Sequence, residues 1–372
     1  MNILILITKS EIGGAQKFVA NLAQGLKEKG NKVSIASGEN KGYLFDFAKS
    51  NSIDFHFIRG LERNSNPFAS FVFLIDFYLF LKKNKPDVVH LNSSNALLGA
   101  ISAKLANMGV KTVFTVHGLS VLDSNYKGNL FKRAIFMAFF KFCFLFVDDL
   151  VFVSQNNLKL SIKNNMSKRG RLIYNGVDLS FIGREEARRF ILNKVGLNEA
   201  SDVFLLGSIG RLAYPKNYEF LIENFHKIKE IRRNIKLVII GDGPEKERYA
   251  SLIKANGHEK DIILLGKIDD ASKYLKAFDL FILPSIFEGL SIVLIESLLS
   301  GIKIVASNVG GNSEVIGMDN CYKLNDIDDF LRIFREKISS VQKSCTDKNK
   351  DSIERTSFSS DKMVDKYMDV YR

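Results

Sequence analysis

The chain of 372 residues is long enough for two domains, and its 46% hydrophobic and 25% charged residues exclude a disordered protein. The three cysteines, Cys143, Cys321 and Cys345, have no metal-ligand spacing, so neither a disulfide framework nor a zinc site is predicted and a reducing cytoplasm is the expected setting. The net charge of +12 is concentrated in residues 1–180, which hold 23 Lys and Arg against 12 Asp and Glu.

This basic first half is expected to face an anionic partner, for which a phospholipid headgroup layer, a lipid-linked diphosphate and nucleic acid are the candidates. A solvated basic surface without a specific partner is the alternative. No apolar run reaches the roughly 18–20 residues that span a bilayer. The nearest, residues 134–147, is interrupted by Lys141 and predicts either a buried helix or a helix with an aromatic face in a membrane surface.

Short apolar runs of strand-forming residues alternate with amphipathic segments along the whole chain, the pattern of parallel sheets with crossover helices. The first predicted helix spans residues 15–29, with Gly30 at its C-terminal end. In the first half the pattern predicts strands at residues 3–7, 32–37, 53–58, 87–91, 111–116, 149–153 and 171–174.

The second half repeats this alternation, so the sequence predicts two Rossmann-like α/β domains, residues 1–180 and residues 181–357. The last segment, residues 358–372, is expected to be a helix that docks on another part of the chain. Its apolar side chains at helical spacing are Met363, Val364, Tyr367, Met368 and Tyr371. The strands of the second half are predicted at residues 203–209, 236–240, 261–265, 279–283 and 302–306.

Ligands of open α/β sheets bind at the carboxyl ends of the strands, so the loops that follow strands are the candidate sites. In the loop after the first strand, Gly13 and Gly14 allow close approach of a ligand to the backbone, although a plain tight turn explains them equally well. In the loop after residues 203–209, Arg211 and Lys216 are suited to a diphosphate group, unless they are isolated surface cations. The turn at residues 241–246 is predicted to be structural.

The most specific segment is residues 283–301, where Ser291 is the predicted N-cap of a helix over residues 292–300 and Gly301 ends it. Glu288 precedes this helix and Glu296 lies inside it. The backbone N–H groups of Gly289, Leu290 and Ser291 are expected to point toward a phosphate, and a carboxylate beside them suits sugar hydroxyls. A solvated pair of glutamates is the alternative.

Taken together, these motifs resemble the retaining glycosyltransferases of the GT-B fold, in particular the large bacterial family 4 group. The resemblance covers nearly the whole chain, and the motifs occur in the family's order. The matching residues are Gly13-Gly14-Ala15, Val116-His117-Gly118, Phe152-Val153-Ser154, Tyr174 to Asp178, Gly210-Arg211, Lys216-Asn217, Gly241 to Pro244, Glu288 with Glu296, and Gly310-Gly311 with Glu314.

The resemblance implies two Rossmann-like domains that face each other across a cleft, with the C-terminal helix crossing back to the first domain. It implies an acceptor-binding domain at residues 1–180 and a domain at residues 181–357 that binds a nucleotide sugar. It implies that Arg211 and Lys216 bind the donor diphosphate, that Glu288 binds hydroxyls of the donor sugar and that Glu296 binds the ribose. It also implies that the amides of Gly289, Leu290 and Ser291 contact phosphate or sugar. Gly14 is implied to close on the donor from the opposite domain, and His117 to approach the transferred sugar.

The resemblance also implies retention of the anomeric configuration, which we expect to proceed by front-face attack. A UDP-sugar donor is favoured over a GDP-sugar. We find no DxD-type carboxylate cluster that would demand a divalent metal, so no metal or other cofactor is expected. The expected acceptor is a lipid-linked saccharide of cell-surface polysaccharide or O-antigen synthesis, handled at the cytoplasmic face of the inner membrane, and nucleic acid is not an expected partner.

Four other readings remain open at this point. They are a soluble or phosphatidylinositol-type acceptor, a non-catalytic relative that binds sugar nucleotides, a nicotinamide-dependent enzyme and a nucleic-acid binder. The missing third glycine after the first strand disfavours the nicotinamide enzyme, and no aromatic-rich binding motif supports the nucleic-acid binder.

Overall fold

A computed structural model describes residues 1–63, 66–106, 109–122, 129–178, 180–198, 202–342 and 355–372. The chain divides into two compact units: unit 1 comprises Met1–Asp178 with Thr356–Arg372, and unit 2 comprises Leu179–Arg355. Cys143 and Cys321 are free and buried, whereas Cys345 lies outside the described residues.

Unit 1 is built on a seven-stranded parallel sheet in the order β3-β2-β1-β4-β5-β6-β7, flanked by helices. The chain reverses its direction of travel across this sheet between β1 and β4. Its elements are β1 (Asn2–Ile7), α1 (Gly14–Glu28), β2 (Lys32–Ser37), α2 (Tyr43–Ser50), β3 (Asp54–Phe57), α3 (Pro67–Asn84), β4 (Val88–Leu91), α4 (Gly99–Ala106), β5 (Lys111–Val116), α5 (Leu130–Phe144), β6 (Asp149–Phe152), α6 (Gln155–Lys163) and β7 (Arg171–Leu172).

The first strand shows why this sheet is buried on both faces. Residues 3–7 of β1 are all apolar and all at most 1% exposed, as expected for a central parallel strand that is covered by helices on both sides. On one face, α3, α4 and α5 share a single apolar core with the strands. In α1, Phe18, Leu22 and Leu26 are completely buried, and Gly30 follows the helix in the left-handed conformation that the sequence predicted.

Unit 2 has a six-stranded parallel sheet in the order β10-β9-β8-β11-β12-β13, so the chain changes direction across the sheet between β8 and β11. Its elements are α7 (Arg184–Lys194), β8 (Phe204–Ile209), α8 (Tyr218–Glu223), α9 (Phe225–Ile231), β9 (Ile235–Ile240), α10 (Lys246–Ala255), β10 (Ile262–Gly266), β11 (Leu280–Leu283), α11 (Ile292–Ser300), β12 (Lys303–Ser307), α12 (Asn312–Ile316), β13 (Cys321–Tyr322) and α13 (Ile327–Gln342).

The last helix, α14 (Ser360–Tyr371), belongs to unit 1 although it follows unit 2 in the chain, which confirms the predicted return of the C-terminus to the first domain. It packs against α1, where a Cβ on Gly25 would lie 2.5 Å from Val364 Cγ2. Two buried tyrosines tie it to the sheet. The hydroxyl of Tyr367 lies 2.8 Å from Thr115 Oγ1, and the hydroxyl of Tyr371 lies 2.7 Å from His90 Nδ1.

The apolar run at residues 134–147 lies mostly in α5, and this helix is only partly covered. Phe140, Cys143 and Phe144 are buried, but Phe131 and Phe142 are 71% and 54% exposed. The expectation of a fully buried helix is therefore not met. In the described ranges, no helix combines the length and the apolar character that crossing a membrane requires.

Candidate functional site

The predicted site residues of unit 2 lie at the carboxyl ends of β8 and β11, on either side of the point where the strand order reverses. In open α/β sheets this is where the loops on the two sides diverge and leave a crevice for a ligand. Arg211 and Lys216 follow β8, whereas Glu288, Gly289 and the start of α11 follow β11.

The backbone at Arg211 is held by the neighbouring glycine turn. Gly241 has φ of 151°, and a Cβ there would lie 1.9 Å from the carbonyl oxygen of Gly210. A Cβ on Gly243 would lie 2.3 Å from the carbonyl oxygen of Leu212, whose own N–H donates to Asp242 O at 3.0 Å. The predicted structural turn at residues 241–246 therefore supports the loop that carries Arg211. The Arg211 side chain is exposed, and its guanidinium makes no hydrogen bond or ion pair with the rest of the described chain.

Lys216 and Glu288 are brought together as an ion pair. Lys216 Nζ lies 2.7 Å from Glu288 Oε1, and Ser285 Oγ donates to the same oxygen at 2.7 Å. Asn217, in the left-handed conformation with φ of 53°, donates from Nδ2 to Pro284 O at 3.1 Å, which joins the two loops. An ammonium group has three donors, so one bond to Glu288 leaves Lys216 two more for a ligand.

The Glu288 loop rests on the glycine pair after β12. Gly310 has φ of 54°, and a Cβ at this position would lie 1.8 Å from the carbonyl oxygen of Glu288. The N–H of Gly311 donates to Gly289 O at 2.9 Å. Only glycine combines this backbone conformation with this close approach, so Gly310 fixes the position of the loop.

The helix that follows this loop is the one that the sequence predicted, with Ser291 at the N-cap, Ile292–Ser300 as the helix and Gly301 in the left-handed conformation at its end. Ser291 makes no side-chain capping bond. The start of α11 can therefore contribute first-turn N–H groups and the positive end of its dipole to an anion. Glu296 lies inside the helix and is 3% exposed, while Leu290 is 4% exposed.

The remaining two predicted residues, Gly14 and His117, belong to unit 1. Gly14 is the exposed first residue of α1, and a Cβ added there would meet nothing within 4 Å. Glu39, the acid after β2, accepts from the N–H of Ser10 at 2.7 Å and so holds the loop that precedes α1.

His117 follows β5 and is fixed by a residue that the sequence analysis did not single out, Asn92 after β4. Asn92 is 1% exposed and donates from Nδ2 to the carbonyl oxygen of His90 at 3.1 Å. Its Oδ1 must therefore face His117 Nε2, at 3.1 Å, as an acceptor. Nε2 of His117 then carries the proton, and Nδ1 carries the lone pair.

The charge state of His117 follows from its surroundings. Burial lowers its pKa to about 4, so the ring is neutral at neutral pH. The Phe18 ring packs edge-on against it with centroids 4.7 Å apart. A neutral imidazole with its lone pair on Nδ1 can accept a hydrogen bond from a hydroxyl but cannot act as a general acid. The position of Asn92 at the carboxyl end of a strand, beside the point where the strand order reverses, is the signal that could have identified it.

No group of three or more His, Cys, Asp or Glu side chains with the arrangement of a metal site occurs within the part of the chain that the structure describes.

Two family models match the chain, one in each half. The model described as Glycosyltransferase Family 4 matches residues 12–181, and the model described as Glycosyl transferases group 1 matches residues 190–350.

Similar proteins of known name include the UDP-Gal:alpha-D-GlcNAc-diphosphoundecaprenol alpha-1,3-galactosyltransferase of Escherichia coli. It is 29% identical over 359 residues, which cover 92% of this chain and 88% of the relative. The O-antigen biosynthesis glycosyltransferase WbnH of Escherichia coli is 29% identical over 348 residues, which cover 90% of this chain and 93% of the relative.

Among solved structures, HepE of Anabaena in complex with UDP and glucose superposes with a TM-score of 0.81. The match covers 100% of this chain and 99% of HepE at 18% identity. At this identity the likeness establishes the fold, two parallel-sheet α/β domains of the GT-B type.

Proposed function

We propose that this member of the group 1 glycosyltransferases of the GT-B fold is a retaining enzyme that transfers a sugar from a UDP-sugar to a lipid-linked saccharide. Its place in the family follows from the two family models, which together match residues 12–181 and 190–350. The observation that carries the donor half of this proposal is the Lys216–Glu288 ion pair at the point of strand reversal, beside the start of α11.

The donor diphosphate binds to unit 2 in this proposal. Arg211 and Lys216 contact its oxygens, and the amides of Gly289, Leu290 and Ser291 at the start of α11 add uncharged donors. Glu288 accepts hydrogen bonds from hydroxyls of the transferred sugar, and Glu296 accepts from the ribose. In unit 1, Gly14 offers close backbone approach at the start of α1, and His117 offers Nδ1 as an acceptor for a sugar hydroxyl.

The difficult step is cleavage of the anomeric C–O bond, in which negative charge accumulates on the leaving phosphate oxygen. Arg211, Lys216 and the α11 amides are donors that can stabilise this charge without a metal ion, and loss of one such donor typically raises a barrier by about 2.7–4 kcal/mol. The acceptor hydroxyl attacks from the face that the phosphate leaves, and the departing phosphate oxygen takes its proton. This front-face course retains the anomeric configuration.

The acceptor part of the proposal rests on the relatives. The name of the Escherichia coli galactosyltransferase specifies an acceptor linked to diphosphoundecaprenol, and WbnH is named for O-antigen biosynthesis. We extend this acceptor class to the present chain, so that the enzyme works at the cytoplasmic face of the inner membrane. The excess of basic residues in the first half suits an anionic, lipid-bound substrate.

The test is a screen of nucleotide sugars by thermal unfolding, followed by turnover of the stabilising donors with lipid extracts. We expect UDP-sugars to raise the unfolding temperature, and stabilisation by GDP-sugars alone would contradict the donor assignment. Product with the anomeric configuration inverted, or turnover that is lost on chelation of divalent cations, would contradict the mechanism.

Arg211→Ala provides the matched variant for this screen, because the side chain is exposed and contributes little to packing. Turnover is expected to fall by roughly a hundredfold or more, with the unfolding temperature unchanged. The control is Arg233→Ala, another exposed arginine of unit 2, which should keep full activity. Equal activity of Arg211→Ala and Arg233→Ala would remove Arg211 from the site.

A further inference from the structure

The helix α3 is apolar on the side that faces solvent as well as on the side that faces the core. Its inner positions, Ala69, Phe73, Phe77 and Leu81, are buried. Its outer face carries a stripe of apolar residues with helical spacing, Phe68, Phe71, Ile75 and Leu79, which are 74%, 60%, 46% and 57% exposed. Soluble surface helices normally place polar residues there, so this stripe marks a binding surface.

The helix α5 repeats the feature on the same side of the sheet. Phe140, Cys143 and Phe144 enter the core that α3 and α4 also share. The outer side of α5 presents further exposed apolar residues, namely Leu130, Phe131, Ile135, Phe136, Phe142 and, just beyond the helix, Leu145. Leu105 of α4, the helix that packs against α3, is 68% exposed and belongs to the same layer. We call the outer sides of α3, α4 and α5 the aromatic face.

The charges on this face are almost all positive. α5 contains no acidic residue, and the only acid of α3, Asp76, is paired with Arg59 at 2.7 Å. Exposed lysines lie among and beside the apolar residues: Lys82, Lys83 and Lys85 at the end of α3, and Lys132 and Lys141 on α5. Exposed rings with flanking lysines and hardly any acids are the composition of a helix that lies in a membrane surface.

We propose that the aromatic face inserts its phenylalanine and leucine side chains into an anionic membrane, with the lysines bound to the lipid headgroups. The inference deepens the proposed function, since a lipid-linked acceptor would be presented at that membrane, but it rests on the surface of unit 1 alone. The attachment has two components, electrostatic attraction and apolar insertion, and the insertion persists in salt that screens the attraction.

Charge favours a membrane over a second copy of the chain as the occupant. A two-fold interface through this face would place like-charged lysines of the two copies near each other at the edge of an apolar contact, which is unfavourable. A bilayer that contains anionic lipids offers negative headgroups to the lysines and hydrocarbon to the rings.

The chain contains no tryptophan, so single tryptophan variants report on insertion without background. We would place the probe at Phe71→Trp and Phe131→Trp, with Met318→Trp, an exposed residue of unit 2, as the control. The full chain is mixed with vesicles of phosphatidylethanolamine and phosphatidylglycerol at three to one, without acceptor lipid or sugar nucleotide. We expect a blue shift and quenching by brominated lipid chains for the two probes on the aromatic face, and neither change for the control.

Affinity for the same vesicles separates the two components of the attachment. Phe71→Ser and Phe131→Ser should each weaken binding by about tenfold, at low and at high salt. Lys132→Glu and Lys141→Glu should each weaken it by roughly fivefold or more at low salt only. Neutral phosphatidylcholine vesicles should bind the chain more weakly than the anionic ones. Met318→Ser should bind like the unmodified protein.

Three results would overturn the inference. One is unshifted emission of both probes on vesicles that retain the protein. Another is a blue shift without vesicles that accompanies a concentration-dependent dimer, which would make the face a contact between copies. The third is unchanged vesicle binding by the Phe71→Ser, Phe131→Ser double variant. None of these measurements requires turnover, so they remain valid if the proposed donor or acceptor is wrong, and a failed donor screen leaves them unaffected.

Discussion

Lys216 and Glu288 neutralise each other in a partly buried loop pair, so a change at one alters the charge that the other presents. Glu288→Gln keeps the size of the side chain and its bond from Ser285, but it removes the carboxylate that is proposed to hold the sugar hydroxyls. We expect kcat to fall by about a hundredfold, in the range of losses that follow removal of one preorganised group.

The KM of this variant for the donor should change much less than kcat, because loss of the carboxylate also removes repulsion of the diphosphate. Steady-state kinetics measure both constants. Glu223→Gln, an exposed glutamate of the same unit, serves as the control. A KM that rises while kcat stays unchanged would point to a role in binding alone.

Asn92 fixes the tautomer of His117 and leaves the ring neutral. Asn92→Asp places a negative charge at the same distance and should raise the pKa of His117 from about 4 toward its ordinary value of 6.5. Neutral His117 then exists only at higher pH, so the acid limb of the pH–rate profile should move to higher pH.

The titration of His117 can be followed by NMR, because the protein has only five histidines. Asn92→Ala removes the hydrogen bond without adding a charge, and it should leave the acid limb in place. If His117 titrates at a higher pH in Asn92→Asp while the acid limb stays fixed, the neutral ring is not required for the reaction.

At this scale the sequence identified the chemical groups but not their pairing. Motif order drew attention to Lys216 and Glu288 separately, and only the fold shows that their loops meet across the point of strand reversal. Asn92 was missed because a lone asparagine after a strand has no distinctive pattern. Its importance comes from the parallel pairing of β4 with β5, which sets it beside His117.

At the scale of elements, two glycines provide a matched pair of variants: Gly301 ends α11, and Gly310 follows β12. Gly310→Ala should force the Glu288 loop to move, because its Cβ would lie 1.8 Å from the Glu288 carbonyl oxygen. We expect a loss of about 1–3 kcal/mol in the free energy of unfolding and a clear rise in the KM for the donor.

Gly301→Ala also places alanine at positive φ, but a Cβ there meets nothing within 4 Å. It should cost about 1–2 kcal/mol of stability and leave the donor KM unchanged. Thermal unfolding and steady-state kinetics on both variants make the comparison. Equal KM values in the two would show that the Glu288 loop does not position the donor.

The strands were predictable as elements because central parallel strands are continuous apolar runs, and α11 was predictable because its N-cap and its final glycine bracket it. The two-residue strand β13 was missed, since so short a run has no periodicity. The exposed side of α3 was not predicted, and for residues 134–147, which lie mostly in α5, the sequence left a buried helix and an aromatic face in a membrane surface as alternatives. A helix that is apolar all round gives the same pattern whether it is buried or bound to a surface, and only the packed structure shows which side is covered.

The histidines His90 and His117 predict how the stability of unit 1 depends on pH. Burial lowers the pKa of His90 to about 3 and that of His117 to about 4, whereas in the unfolded chain both are near 6.5. Below pH 6.5 the unfolded state takes up protons that the folded state does not. Each histidine should therefore lower the free energy of unfolding by up to about 1.4 kcal/mol per pH unit as the pH falls.

Denaturant unfolding of unit 1 at a series of pH values from 7.5 to 5 measures this slope. His90→Gln lowers stability at every pH because it alters the bonds to Thr115 and Tyr371, but it should make the slope shallower. An unchanged slope in that variant would mean that His90 is not one of the groups that take up protons on unfolding.

At the scale of the whole molecule, the proposed anion-binding groups Arg211, Lys216 and the start of α11 all belong to unit 2, which is one uninterrupted stretch of chain. Residues 179–355 expressed alone should therefore fold and bind UDP with an affinity within about tenfold of the intact protein, if the diphosphate supplies most of the binding energy. Calorimetry measures the affinity, and the Lys216→Ala form of the fragment is the control. A folded fragment that does not bind UDP would assign the nucleotide site to more than unit 2.

The position of α14 has a consequence for the order of events on the ribosome. Unit 1 needs Tyr367 and Tyr371, which are made only after the whole of unit 2. At about 5–20 residues per second, the first 178 residues wait roughly ten to forty seconds for the segment that completes them. Unit 2, second in the sequence, can be first to finish. A premature stop between unit 2 and Tyr367 would leave the first half permanently incomplete, and we expect proteases and chaperones to act on such a product.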